Sequence, residues 1–136
     1  MNMHGSCVAV DGRGLLILGP SGSGKSSLAL QMLGLGARLV ADDRVDLHRQ
    51  GTAVIARCPP PLRGLIEARG IGLLRADPLD EAELVLVADL SQPPAQRLPD
   101  ARTILLLDCD IALVAAAPNA HFPISLVQYL RHGRMA

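Results

Sequence analysis

Gly19-Pro20-Ser21-Gly22-Ser23-Gly24-Lys25-Ser26 is the stretch that decides how the rest of the chain reads. It has the form G-x-x-x-x-G-K-[ST]. The apolar run Gly14–Leu18 precedes it, and Lys25–Leu33 follows with Leu28, Leu30 and Leu33 and no helix breaker, so the context is strand, loop, helix. Glycines let the backbone close around a phosphate and turn several N–H groups inward. A helix starting at Lys25 adds the positive end of its dipole at the same spot. Lys25 then supplies the full charge toward the β- and γ-phosphates, and the Ser26 hydroxyl is placed to ligate Mg²⁺. Lys25 is also the only lysine in the chain, against twelve arginines. These eight residues, from Gly19 to Ser26, are the candidate nucleotide-binding loop.

Outward from the loop, Ser6–Val10 and Gly14–Leu18 read as strands joined by an Asp11-Gly12 turn. The helix is expected to stop at Gly34 or Gly36. Further strands are expected at Arg38–Ala41, Val45–Leu47 and Ala53–Ala56. The run Cys58-Pro59-Pro60-Pro61 must leave regular structure, because proline has no donor for a ladder. Glu83–Ala88, Thr103–Leu107 and Ile111–Ala116 are strongly apolar and read as buried strands, and Pro123 opens a C-terminal helix over Ile124–Arg131. The sum is an α/β fold, a mixed sheet with flanking helices, in a single domain spanning residues 1–136.

Composition removes several function classes. The 136 residues carry 13 basic and 13 acidic side chains, so no excess of positive charge marks a nucleic-acid face. Phe122 and Tyr129 are the only aromatics, too few for a base-stacking platform. With 49% apolar residues the chain is too hydrophobic to be disordered. No apolar run approaches the roughly 18 residues of a membrane span. Met1-Asn2-Met3-His4 lacks the features of an export signal, and Cys7, Cys58 and Cys109 are an odd set without CxxC spacing. The expectation is a cytoplasmic protein with reduced thiols.

A phosphate loop of this kind usually works with a carboxylate at the end of an apolar strand. Three places qualify: Asp42/Asp43 after Leu39-Val40-Ala41, Asp89 after Leu84–Ala88, and Asp108 after Ile104–Leu107. The doubled Asp42-Asp43 has the better chemical case. Adjacent strand residues point to opposite sides, so one carboxylate aims at the phosphate while the other orients a neighbour. A carboxylate so aimed can take the proton of an attacking hydroxyl. A GTPase is excluded, because its Asn-Lys-x-Asp base-reading motif needs a second lysine.

His4-Gly5-Ser6, Gly19–Ser26, Arg38-Leu39-Val40-Ala41-Asp42-Asp43-Arg44-Val45 and Glu67-Ala68-Arg69-Gly70-Ile71-Gly72, in this order and spacing, resemble the catalytic domain of HPr kinase/phosphorylase from about His4 to the C-terminal helix. The resemblance implies a P-loop core related to phosphoenolpyruvate carboxykinase, assembled as a hexamer. It implies an ATP- and Mg²⁺-dependent kinase that phosphorylates a serine of HPr, the phosphocarrier of the sugar phosphotransferase system, and reverses the reaction with phosphate, releasing pyrophosphate. Under it, Lys25 is the catalytic lysine, Ser26 and Glu67 are metal ligands, and Asp43 is the general base that becomes the general acid in reverse. His4 matches the family's catalytic-domain histidine and Arg97 its arginine, with Pro99 in place of a glycine.

The sequence also departs from that pattern. It begins at the catalytic core, as short forms of the family do; Ser27 replaces an acidic residue; and Ala117–His121 stands where longer members carry an arginine-bearing turn. Two other readings are a P-loop kinase acting on a different acceptor, and a nucleotide-binding regulator that recruits HPr or a sensor kinase without transfer.

Overall fold

A strand whose two faces are both apolar needs a core on each side of the sheet. The computed structural model describes residues 1–136 and shows how the chain meets that demand. In order the elements are β1 (Asn2–His4), β2 (Ser6–Val10), β3 (Arg13–Leu18), α1 (Lys25–Leu33), β4 (Arg38–Ala41), β5 (Arg44–Gln50), β6 (Ala53–Arg57), β7 (Leu65–Ala68), β8 (Gly72–Arg75), β9 (Glu81–Asp89), β10 (Arg102–Leu106), β11 (Cys109–Ala115) and α2 (Phe122–His132). The expected mixed α/β architecture and both helices are present. After Cys58 the chain leaves the sheet and makes one tight helical turn over Pro60–Leu62, where missing proline donors are tolerated.

Nine strands make one sheet along the path β1-β5-β6-β9-β3-β2-β4, with β11 added to β9 and β10 to β11. Strand β9 pairs along one side with β3, parallel. Its other side is shared between β6, antiparallel at Glu81–Glu83, and β11, parallel at Leu86–Asp89. Such splitting lets the sheet fold over itself. Cys7, Ala9, Leu16, Val45, Leu84 and Val87 fill the core enclosed by the sheet, whereas Val8, Val10, Leu15, Ile17, Leu86 and Ala88 face α1 and α2.

Two irregularities set which side chain faces which core. Gly14 pairs with Leu84 but Leu15 with Leu86, so Val85 is an extra residue and the alternation of β9 reverses there. On β4 the partner of Val8 is Leu39 and that of Cys7 is Ala41, which makes Val40 the extra residue. The second bulge lies immediately before Asp42-Asp43.

Two expectations need correction. The strands near Thr103–Leu107 and Ile111–Ala116 form, but they are not buried strands. β10 lies at the sheet edge with only β11 beside it, leaving Leu105 62% exposed, and most of β11 is half-buried. Asp108 sits with Leu107 in the tight turn between them, both at positive φ, and is exposed. The sequence reading also missed β1 and the hairpin β7–β8, both of which carry residues of the site.

Candidate active site

The end of β3 runs into the glycine-rich loop, and the loop runs into α1. Gly19 has φ 153°, and a Cβ there would lie 2.5 Å from Ser23 Oγ, so only glycine lets the chain fold back on itself at this point. Gly22 and Gly24 have φ of 82° and 98°, with open space where a side chain would project. Helix α1 has no acidic residue in its first turn, leaving its N-terminal N–H groups available to an anion. Lys25 is buried, and its Nζ donates to the carbonyls of Gly19 at 2.8 Å and Pro20 at 3.1 Å. An arriving phosphate competes with those two neutral acceptors for a full positive charge.

Asp42 and Asp43 divide the work. Asp42 is buried and accepts hydrogen bonds from three donors. Ser6 Oγ–H at 2.7 Å and Ser26 Oγ–H at 2.8 Å reach Oδ1, and the Glu67 N–H reaches Oδ2 at 3.1 Å. One carboxylate thereby ties together β2, the first turn of α1 and β7. Asp43 instead turns out toward solvent. The Arg44 N–H donates to the Asp42 carbonyl at 2.9 Å, closing a three-residue turn about Asp43 at φ 72°, a rare and strained conformation for a residue with a side chain. The Gly5 N–H donates to the Asp43 carbonyl at 3.1 Å, and His4 Nε2 lies 3.2 Å from Asp43 Oδ1.

The register of β1 on β5 explains the last contact. Asn2 pairs with Asp46, Met3 with Val45 and His4 with Arg44, which brings the imidazole beside residue 43. His4 and Asp43 keep 41% and 67% of their side-chain surface exposed, so their pairing contributes little stability. Its consequence is orientation.

Strand β7 supplies the facing wall. Ile66 and Ala68 are buried, so alternation turns Glu67 the other way, and Arg69 two residues on follows it. His4, Lys25, Ser26, Asp43, Glu67 and Arg69 line one cavity of about 270 Å³, with Ser6 and residues of the loop. Its lining contains no hydrophobic residue. Ser6 and Arg69 were given no role from sequence, and Asp42 only as one of a carboxylate pair of which one member aims at the phosphate and the other orients a neighbour. Arg69 is recoverable from strand alternation with Glu67, whereas which member of the Asp42-Asp43 pair takes the supporting place had no sequence signal.

Arg97 is not in this cavity. It lines a separate groove of about 370 Å³ with Leu98, Leu126 and Tyr129, so its grouping with the other site residues does not hold in this structure. Asp89, in register with Leu18 at the end of β9, accepts the Ser91 N–H at 2.9 Å, and hydrogen bonding from the Ser91 side chain, with that N–H, holds its carboxyl below the usual range. It acts as a turn residue.

The donor set fits a magnesium nucleotide. Ser26 Oγ and the Glu67 carboxylate, both lining the cavity, are hard oxygen donors of the kind Mg²⁺ takes. No group of three or more His, Cys, Asp or Glu side chains is placed to hold a metal ion on its own.

Comparison with known proteins places the chain in a family. The family described as HPr Serine kinase C-terminal domain matches residues 1–80. HPr kinase/phosphorylase of Cupriavidus necator is 51% identical over 75 residues, which are 54% of this chain and 23% of that protein. HPr kinase/phosphorylase of Nitrosomonas europaea is 50% identical over 72 residues, 52% of this chain and 22% of that protein. The matched stretch therefore spans less than a quarter of these curated relatives. The structure of the HPr(Ser) kinase/phosphatase from Coxiella burnetii superposes with a TM-score of 0.83 at 26% identity, covering 96% of this chain and 88% of that one. Arg97 lies beyond the stretch matched in sequence.

Proposed function

The chain belongs to the HPr serine kinase C-terminal domain family, and from that premise we propose that it transfers the terminal phosphate of Mg·ATP to a serine of an HPr-like phosphocarrier protein and catalyses the phosphate-dependent reversal. The observation that carries this reading is the way Asp43 is held. A strained turn, the Gly5 N–H and His4 fix an exposed carboxylate in the wall of the cavity that Lys25 and the glycine-rich loop also line.

In the forward direction the Asp43 carboxylate accepts the proton of the incoming serine hydroxyl, and His4 holds that carboxylate in its orientation. Lys25 leaves the Gly19 and Pro20 carbonyls for the polyphosphate, and Arg69 adds a second cation. Ser26 and Glu67 would hold Mg²⁺, which when bound neutralises charge on the phosphates. In reverse, inorganic phosphate occupies the loop and attacks phosphoserine. Protonated Asp43 returns its proton to the departing serine oxygen, and pyrophosphate leaves. One carboxylate serves both directions, as microscopic reversibility requires.

The proposal includes self-association in the cytoplasm. Ile71, Leu73, Leu98 and Leu105 are exposed apolar side chains of the kind subunit contacts cover. No helix is long and apolar enough to cross a membrane.

Asp43→Asn tests the reading. It should bind Mg·ATP as wild type does but lose about 10²–10⁴-fold in phosphate transfer, the usual contribution of a general base. Transfer within a few-fold of wild type would show that Asp43 is not the base.

A further inference from the structure

The groove of about 370 Å³ that Arg97 lines shares no residue with the polar cavity and has a different chemistry. Ten of its 18 lining residues are hydrophobic, against none in the polar cavity. One side is β11. Leu113, Val114 and Ala115 are apolar enough to read as part of a buried strand, yet they stay half-buried where they line the groove. Another side is α2, where Phe122, Leu126 and Tyr129 fall at i, i+4 and i+7 and so share one helix face. The loop from Pro94 to Asp100 supplies the third. A volume of this size, mostly apolar with a few polar groups, lies in the range of small-molecule sites, about 300–1,000 Å³.

The charges around the groove are one-sided. Arg97, Arg102 and Arg134 line it against a single acidic side chain, Asp100. None of the three joins an ion pair, since those of the chain use Arg38, Arg57, Arg63 and Arg131. Arg134 donates to the Pro99 carbonyl, which leaves Arg97 and Arg102 for a ligand. An apolar body with one anionic end answers both features. We propose that this groove binds a monocarboxylate with a hydrocarbon body. The body lies against Leu113, Val114 and Leu126, and the carboxylate is received by the guanidiniums of Arg97 and Arg102, whose planar forks match its two oxygens. A polyhydroxylated anion is disfavoured, because its hydroxyls would lie against these apolar walls without hydrogen-bond partners.

Calorimetric titration of the whole chain with octanoate, octanamide and acetate tests this. Octanoate should bind, and octanamide should bind about tenfold more weakly, the worth of one charge-assisted hydrogen bond. Acetate, which has the charge but no apolar body, should give no detectable binding. Arg97→Gln combined with Arg102→Gln, both at exposed positions, should bring octanoate down to the affinity of octanamide with the thermal midpoint unchanged. Ser125 is exposed on α2 and lines the groove, so Ser125→Phe should occupy the space and weaken both eight-carbon ligands. Octanamide binding as tightly as octanoate, or octanoate binding that survives both variants, would overturn the proposal. So would a wild-type chain that does not bind octanoate; self-association lost in Ser125→Phe would then assign the groove to a second copy of the chain.

Discussion

Removing the Asp42 carboxylate should unfasten three elements at once, and the size of the effect can be worked from its partners. Asp42→Ala leaves the Ser6, Ser26 and Glu67 donors without their acceptor. Ser6 is wholly buried, so its hydroxyl has no water to turn to and costs about 1–3 kcal/mol. The other two are only partly buried and can be rehydrated, each losing roughly 1 kcal/mol net. The total is about 3–5 kcal/mol, a large share of a stability of about 5–15 kcal/mol. Asp42→Asn keeps one oxygen for both serines but sets an amide NH₂ against the Glu67 N–H, costing about 1–3 kcal/mol. Equilibrium urea unfolding reads both. With a slope of about 1.5–2 kcal/mol per molar, Asp42→Ala should lower the midpoint by about 2 M and Asp42→Asn by about half of that. An Asp42→Ala variant within about 0.5 kcal/mol of wild type, the range of a neutral surface change, would refute the claim that this carboxylate joins β2, α1 and β7.

Lys25→Ala should abolish measurable nucleotide binding in calorimetry, because the cavity then keeps only the exposed Arg69 as a cation; binding within tenfold of wild type would return the lysine to a purely structural role on its two carbonyls. Glu67→Gln should raise the Mg²⁺ concentration needed for half-maximal activity without altering the fold, and an unchanged requirement would remove Glu67 from the metal site. Gly5→Ala should lose transfer and stability together, since its Cβ would stand 2.8 Å from the Ile17 carbonyl and displace the N–H that anchors Asp43; an active, stable alanine variant would contradict that packing. Burial pushes the Cys7 thiol well up and, with Asp46 adding, also raises Cys58, so native protein near pH 8 should alkylate slowly at Cys58 and not at Cys7, as peptide mapping would show.

Much of the fold was legible in the sequence where the chemistry was local. The helix after the glycine-rich loop was expected over Lys25–Leu33 and occurs there, since Gly24 and Gly34 bracket an uninterrupted apolar periodicity. The hairpin at Asp11-Gly12 formed for the same reason. What escaped was non-local. Asn2–His4 is too short to show a pattern, and only its pairing with β5 makes it a strand. The burial of β10 was overestimated because Ile104-Leu105-Leu106 reads as a core run, whereas exposure is decided by its place at the sheet edge. Strand alternation anticipated that Asp42 and Asp43 would divide between support and chemistry. It could not anticipate the positive φ that turns Asp43 into the cavity while Asp42 stays behind it. Arg97, assigned from a short similar context, lies in a separate groove and not in the polar cavity.

The proposed kinase activity is tested most directly by transfer of the terminal phosphate from Mg·ATP to purified HPr of the same organism, scored as acid-stable phosphoserine rather than acid-labile phosphohistidine. The wild-type chain should give stoichiometric phosphoserine, and inorganic phosphate added afterwards should release pyrophosphate. Tight binding of Mg·ATP with no phosphoserine on HPr would contradict the proposal.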